Sequence, residues 1–376
     1  MKQAQANTNT QIKYISGNTA YQGRLFSEIV FWVLFVLICG ESWNWNYPAY
    51  YDSYVDYQLH YEDVTIEQGY AFLVRLFNSW HLHYKYLFLF LFGSGLLLMR
   101  NVVKRYLGQN GWIFYLLFFL FPTCNAVAAF RNSVSMFILT FAFPFLLSDK
   151  KIDAIKFIAL IFLASTIHQT ALIYLLLLLK YPFQKHFWRV FLWICFAVVM
   201  FFALLFTLLP SYLSTFQPLL LLFVSENELL DSARSVYISS SAGYGYVLYT
   251  GFQLFCIYIV YKLRDLYRRR VAVNDEIDKF ASLTLFANTL YLFLMVFIKM
   301  DSTFFRFFQN LVPINYIAII AMYKQLYLKP KRNKAQSIYL LFLFVLVAFA
   351  IFRGAPWFEY NIVPMFLDNW ILQLNF

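Results

Sequence analysis

Apolar runs near the length that crosses a bilayer recur from Leu25 to Arg353, separated by short basic or aromatic connectors, and that alternation restricts the chain to a bundle of membrane helices. Only 13% of residues are charged and 61% are hydrophobic, with a mean hydropathy of +0.60. A soluble domain carries about 25% charged residues, so a soluble enzyme, a disordered chain and a secreted disulfide scaffold are excluded. The expected fold class is an all-α polytopic integral membrane protein. Residues 1–376 leave no room for a separate extramembrane domain and read as a single transmembrane domain.

Cys39, Cys124, Cys195 and Cys256 each lie in or beside an apolar run, without a Cys-x-x-Cys spacing or a partnering histidine. They read as small buried apolar residues. The formal charge of +11 comes from Lys and Arg clustered in the connectors, which is a topology signal and a poor match to nucleic-acid binding. The first apolar run, Leu25 to Cys39, is followed by Gly-Glu-Ser-Trp with no small-x-small site. It is expected to stay as the first span.

Spans are placed near 25–41, 83–100, 111–124, 132–148, 187–209, 243–262, 279–299, 304–323 and 337–353. The stretch Ile152–Leu179 is 28 residues, too long for one perpendicular span and too short for two full ones. A single crossing would put Lys180, Lys185, Arg189 and then Lys262, Arg264, Arg268, Arg269 and Arg270 outside, against the positive-inside rule. Two short helices with His168 near the turn return every basic connector to the cytoplasm. That gives about eleven crossings, N-terminus in and C-terminus out, in a bacterial inner membrane. Inner segments then carry 23 of the 30 Lys and Arg and 7 of the 19 acids.

Two outer segments are long: 42–82, rich in Tyr, Trp and acids, and 210–242, with Glu226, Glu228 and Asp231. Chemistry is therefore expected on the outer side. Ile66–Trp80 reads as an amphipathic surface helix, with Ile66, Tyr70, Leu73, Phe77 and Trp80 on one stripe and Glu67, Arg75 and Asn78 off it.

Ionisable groups at membrane depth are functional candidates by default. Arg131, in Asn125-Ala-Val-Ala-Ala-Phe-Arg-Asn-Ser, sits at an outer junction among small residues. Its planar fork of donors suits phosphate or diphosphate oxygens, and the bland alternative is an Arg snorkelling at a helix end. His168 is the one histidine central to an apolar stretch, and an imidazole of ordinary pKa ~6.5 can take a proton from an attacking hydroxyl. It can equally be a satisfied core histidine. Arg306 follows the short connector with Lys299, Asp301 and Ser302, and either completes a diphosphate clamp or pairs with Asp301 to fix the turn. Glu67 can orient a sugar hydroxyl or the histidine, or it is a charge favoured by a helix start. There is no nucleophile elbow, P-loop, HExxH, metal-spaced carboxylate cluster or dinucleotide fingerprint.

In order along the chain, Trp45-Asn-Tyr-Pro-Ala-Tyr-Tyr, Glu67-Gln-Gly-Tyr, Phe130-Arg-Asn-Ser-Val-Ser, His168-Gln-Thr-Ala-Leu and Phe305-Arg-Phe-Phe-Gln-Asn resemble the EpsG-like and Wzy-like bacterial polysaccharide polymerases. Asn46 stands where relatives often have Asp, and Asn132 where they have Gln. The resemblance implies a membrane glycosyltransferase of GT-C-like fold. Its donor is a glycan on undecaprenyl diphosphate, its acceptor a hydroxyl of the next lipid-linked repeat unit, and its site faces the periplasm. It further implies catalytic roles for His168, Arg131 and Arg306 and substrate contacts from Glu67, Asn46, Tyr47, Tyr70, Asn132, Gln169 and Asp301. No cofactor is expected and the scheme requires no metal. Lipid-linked oligosaccharides and membrane lipids are the expected partners, with a chain-length regulator as a candidate and nucleic acid not expected. An O-antigen ligase of the same chemistry, a lipid-linked oligosaccharide flippase and a membrane O-acyltransferase are the competing readings.

Overall fold

The structure, a computed structural model, describes residues 2–41, 51–52, 54–55, 67–183, 245–271, 275–294, 305–327, 333–357 and 362–374, together with residues 190, 197 and 201. Apart from short turns and connectors these residues are helical, with no strand among them and one isolated antiparallel bridge between Glu41 and Asn369. Most of the expected span 187–209, the outer loop 210–242 and most of residues 42–66 lie outside the described residues. Among the described residues, five stretches are long and apolar enough to cross a membrane: Tyr21–Cys39, Tyr84–Leu120, Phe130–Leu147, Phe305–Tyr327 and Asn333–Ile351. The protein is a multi-pass membrane protein whose described residues form an all-α fold.

Contacts fix the direction of each helix. Helix α1 (Lys2–Cys39) extends well before the apolar run at Leu25 and is followed by α2 (Gln68–Ser79), α3 (Tyr84–Leu107) and α4 (Gly111–Leu120). Glu28 of α1 pairs with Arg100 and Lys104, whereas Phe35 and Cys39 meet Gly93, so α1 and α3 run antiparallel. Phe26 and Phe31 of α1 meet Trp112 and Tyr115 in the same order, so α4 runs parallel to α1. Tyr84–Leu120 therefore folds back at Gly108–Asn110 into two opposed arms. After α5 (Thr123–Ala128), helix α6 (Phe130–Ala142) runs parallel to α3, with Phe88 against Phe130 and Phe92 against Phe137.

Helix α6 tightens into a 3₁₀ segment, Phe143–Leu147, and α7 (Lys151–Ile167) returns alongside it. A second 3₁₀ segment, Gln169–Leu179, then goes back down. Its far end is tied to the start of α7, because the Lys180 ammonium donates to the carbonyls of Leu146 and Ser148 and the Tyr181 hydroxyl to Ser148 at 3.3 Å. The 28-residue stretch is thus two antiparallel helices with His168 at the turn. Their lengths, about 25 Å at 1.5 Å per residue and about 22 Å at 2.0 Å per residue, are close enough to pair end to end. Side chains three apart eclipse in a 3₁₀ helix, and Ala171, Tyr174 and Leu177 form the buried stripe that follows.

The second half is built from α8 (Gly245–Arg270), α9 (Asp275–Leu290), α10 (Phe305–Gln309), α11 (Val312–Tyr327) and α12 (Asn333–Trp357). Arg264 and Arg268 of α8 pair with Asp278 of α9, and Gln253 reaches the Asn288 carbonyl, so α8 and α9 are antiparallel. Tyr249 stacks on Phe305 at one end, and Lys324 donates to the Leu107 carbonyl at the other. Over an 18-residue part of each span, 72% of residues are buried in Phe130–Leu147 and 89% in Phe305–Tyr327, against 33% in Tyr21–Cys39 and 28% in Asn333–Ile351. Helices α6, α10 and α11 therefore form the centre, and α1 and α12 the periphery.

These directions sort the charges by end. Arg100, Lys104, Arg105, Lys180, Arg264, Arg268 and Lys324 gather at one end through contacts with Glu28, Glu276, Asp278 and nearby carbonyls. Glu67, Arg131 and His168 meet at the other.

Candidate functional site

Glu67 precedes the first residue of α2 and makes no side-chain bond to its own helix. Both of its oxygens reach elsewhere. Oε2 accepts from Arg131 Nη1 at 2.6 Å, and Oε1 lies 3.1 Å from His168 Nδ1 and accepts the Gln169 backbone N–H at 3.1 Å. One carboxylate thus joins the start of α2, the start of α6 and the turn between α7 and the following 3₁₀ helix.

Each partner is presented by a break in its helix. His168 has an extended backbone, with φ −152° and ψ 105°, and ends α7 through its N–H bond to the Ala164 carbonyl at 2.9 Å. The first N–H groups of a helix have no intrahelical acceptor, and Glu67 supplies one to Gln169. Arg131 is the second residue of α6. Its guanidinium lies 5.4 Å from the centre of the Tyr70 ring, which is buried one turn along α2 and packs edge-on to Phe130. Helix N-termini attract anions through their exposed N–H groups and dipole. An Arg placed there adds a fork of donors to the helix start, and Glu67 supplies the negative charge beside it.

Gly69 allows this convergence. A Cβ at Gly69 would lie 2.4 Å from Thr166 Oγ1 and 2.7 Å from the Thr166 carbonyl oxygen. Only a residue without a side chain lets the start of α2 approach the end of α7 closely enough for Glu67 to reach His168. The amphipathic helix itself buries Tyr70 and Phe77 as the spacing predicts, but it buries Ala71 and Val74 while Leu73, expected on the stripe, is half-buried. Asn78 departs from the pattern: it is buried, its amide donating to the Tyr54 carbonyl at 3.1 Å, and Trp80 is exposed instead.

Asn132 and Arg306 lie outside the carboxylate's reach. Asn132 is buried and exchanges two amide hydrogen bonds with Asn310, at 3.1 and 3.0 Å. Arg306 is one helical turn before Asn310, its carbonyl accepting the Asn310 N–H at 3.0 Å. The Tyr174 hydroxyl, from the 3₁₀ helix after His168, donates to the Phe307 carbonyl at 3.2 Å. Helix α10 is therefore docked on both elements that carry Arg131 and His168, and Arg306 has no ion-pair partner among the described residues. Asn46, Tyr47 and Asp301 lie outside the described residues. Sequence reasoning missed the roles of Asn310 and Gly69. A second buried amide pair, Asn288 with Asn315 at 2.7 and 3.2 Å, was equally unforeseen. The signal was an asparagine in an apolar helix, which needs a partner because none is available from lipid.

Burial pushes the Glu67 carboxyl up, but the His168 hydrogen bond, the Arg131 charge and the backbone N–H groups of Glu67 and Gln169 outweigh it and hold the pKa at about 2. At neutral pH the group is a carboxylate and can only accept. The hydrogen on His168 Nδ1 is therefore fixed toward Glu67, and neutral imidazole is left with its lone pair on Nε2. Side-chain exposures of 25%, 17% and 16% for Arg131, Glu67 and His168 leave the group shielded yet reachable. Among the described residues, no three His, Cys, Asp or Glu side chains converge as metal ligands would.

A carboxyl lowered on folding stabilises the native state above its unfolded pKa of ~4.3, and that contribution is lost as pH falls through the folded value of about 2. Thermal unfolding in detergent should therefore show wild type losing stability relative to Glu67→Gln between about pH 4.5 and 2. Parallel curves would disprove the ionised shared carboxylate. Gly69→Ala should lower stability by about 1–3 kcal/mol through overpacking, whereas Gly251→Ala, where a Cβ meets nothing within 4 Å, should not. Equal unfolding temperatures for the two would refute the close approach.

The family model described as "EpsG family" matches residues 25–364. No curated protein and no solved structure matches the chain.

Proposed function

We propose the reaction from one premise: the chain belongs to the EpsG family, and so has the polysaccharide polymerase-type, glycosyltransferase-like function of that family in general. The specific reading is that it joins oligosaccharide repeat units carried on undecaprenyl diphosphate. The acceptor is a hydroxyl of one lipid-linked unit, and the donor is the glycan of another.

The observation that carries this reading is the Glu67 carboxylate bridging Arg131 and His168. In the proposed step the acceptor oxygen attacks the donor's anomeric carbon and its proton passes to His168 Nε2. The bond between that carbon and the diphosphate oxygen breaks, and its electron pair leaves with the lipid diphosphate. Arg131, at the α6 N-terminus, holds the diphosphate and stabilises the charge it gains. Arg306 supports the same anion from α10. Glu67 keeps the proton of His168 on Nδ1, and Tyr70 holds the Arg131 guanidinium in place through its ring face. Asn132 acts through Asn310, keeping the helix of Arg306 against that of Arg131. Gln169 contributes its backbone N–H to Glu67, and Asn46, Tyr47 and Asp301 are proposed substrate contacts. A diphosphate leaves with little acid assistance, which suits a site with one carboxylate in place of a glycosidase-like pair.

The separation of charge supports a periplasmic site. Positive-inside topology places the basic end in the cytoplasm, and Glu67, Arg131 and His168 are at the opposite end. The proposed topology is eleven crossings in the bacterial inner membrane, N-terminus in, on a GT-C-like scaffold.

In cells lacking their own copy, wild type should restore a ladder of surface polysaccharide on a gel. Arg131→Ala or His168→Ala should leave a single repeat unit with the protein still in the membrane. General-base removal is expected to reduce polymer formation by about 10²–10⁴-fold. A normal ladder from either variant would refute its role, and loss of even the single unit in the deletion strain would favour a ligase or flippase.

A further inference from the structure

The end of the molecule away from Glu67 contains a cavity of about 280 Å³. Its polar lining is Lys180, Lys279, Ser282 and Asp149, and its apolar walls include Leu147, Leu283 and Phe286. Three elements make it: the 3₁₀ turn ending α6, the end of the 3₁₀ helix that follows His168, and the middle of α9. Phe143 packs on Phe280 at 5.2 Å and fixes α9 against the α6 end. The Lys180 amine is anchored by the Leu146 and Ser148 carbonyls, so its charge is held at the cavity and not spread over the surface.

Two ammonium groups face one carboxylate, which leaves the polar part of the cavity positive. Lysine binds phosphate as a point charge. The hydroxyl of Ser282 is a further donor, and the leucine and phenylalanine walls offer nothing to a small hydrated anion but suit an acyl chain. Leu147 in the cavity wall lies 16 residues after Arg131 along α6 and its 3₁₀ end, about 27 Å of helix and close to the ~30 Å thickness of a bilayer core. The cavity is therefore at headgroup depth if the Glu67 cluster is at the opposite headgroup layer. We propose that it binds the phosphate headgroup of an anionic phospholipid, with Lys180 and Lys279 on the phosphate and the lipid tail along Leu283 and Phe286. Basic pockets between membrane helices on the cytoplasmic side are suited to such lipids. The site is independent of the glycosyl-transfer reading, because it shares no residue with it.

The full chain in detergent, titrated with dioleoyl phosphatidylglycerol, dioleoyl phosphatidylcholine or inorganic phosphate and read by native mass spectrometry, tests the assignment. Wild type should retain phosphatidylglycerol in preference to phosphatidylcholine. Lys279→Gln should lower that retention about fivefold, and Lys279→Arg should keep it. Lys180→Gln should act in the same direction, and if it loosens the turn at Ser148 the Lys279 variants carry the test alone. Arg269→Gln, an exposed cation paired with Asp265 at the same end but outside the cavity, should change nothing. Equal retention of the two lipids, unchanged retention in Lys279→Gln, or an equal fall in Arg269→Gln would overturn the site. Displacement of the lipid by inorganic phosphate at matched concentration would show a free-anion site and overturn the lipid assignment.

Discussion

The shared Glu67 carboxylate is the interaction on which the arrangement of the Glu67, Arg131 and His168 cluster depends. It joins three helix termini that are 64 and 101 residues away in sequence. A half-buried carboxylate is costly unless it is paired and hydrogen-bonded. Here Arg131, His168 and the Gln169 N–H meet that need, and the result is an ionised group well below the usual carboxylate range. The same contacts that make the carboxylate tolerable fix the tautomer of the histidine and the position of the arginine. Stability of the cluster and the fixed orientation of its histidine and arginine have one cause.

The bundle delivers these termini to one place by its alternating directions. Helix α6 leaves the cluster, α7 returns to it and the next 3₁₀ helix leaves again, with Lys180 closing the far end on the Leu146 and Ser148 carbonyls. Buried amide pairs, Asn132 with Asn310 and Asn288 with Asn315, hold the second half to the first and to itself in a region where apolar packing alone gives little register. Ion pairs at the basic end, Glu28 with Arg100 and Asp278 with Arg264, keep the opposite termini aligned.

Much of this was legible in the sequence, for definite reasons. The length of Ile152–Leu179, its polar centre and the positions of Lys180 and Lys262 favour an out-and-back pair, and two antiparallel helices with His168 at the turn are found. Placing His168 and Arg131 at the same end followed from that. The direct partner was less legible: Glu67 was a candidate to orient the histidine, but nothing in one sequence shows that it also holds Arg131 or the Gln169 N–H. Gly69 was visible in its motif without a reason, because the reason is the distance to Thr166 on another helix. Asn78 reads as a polar residue off the apolar stripe and Asn310 only as the last residue of its motif, since burial of an amide depends on a partner that local spacing does not reveal. The long start of α1 has the opposite origin: residues before Leu25 are polar, and hydropathy marks only the apolar part of a helix.

A double-mutant cycle of Glu67→Gln and His168→Ala tests the coupling most directly. The rate of polymer formation is measured with purified protein and a defined lipid-diphosphate-linked repeat unit. If Glu67 acts by holding His168, the double variant should be about as slow as His168→Ala alone, with an interaction energy of about 0.5–3 kcal/mol or more. Effects that simply add would mean that the carboxylate and the imidazole work independently, and the shared-carboxylate site would be wrong.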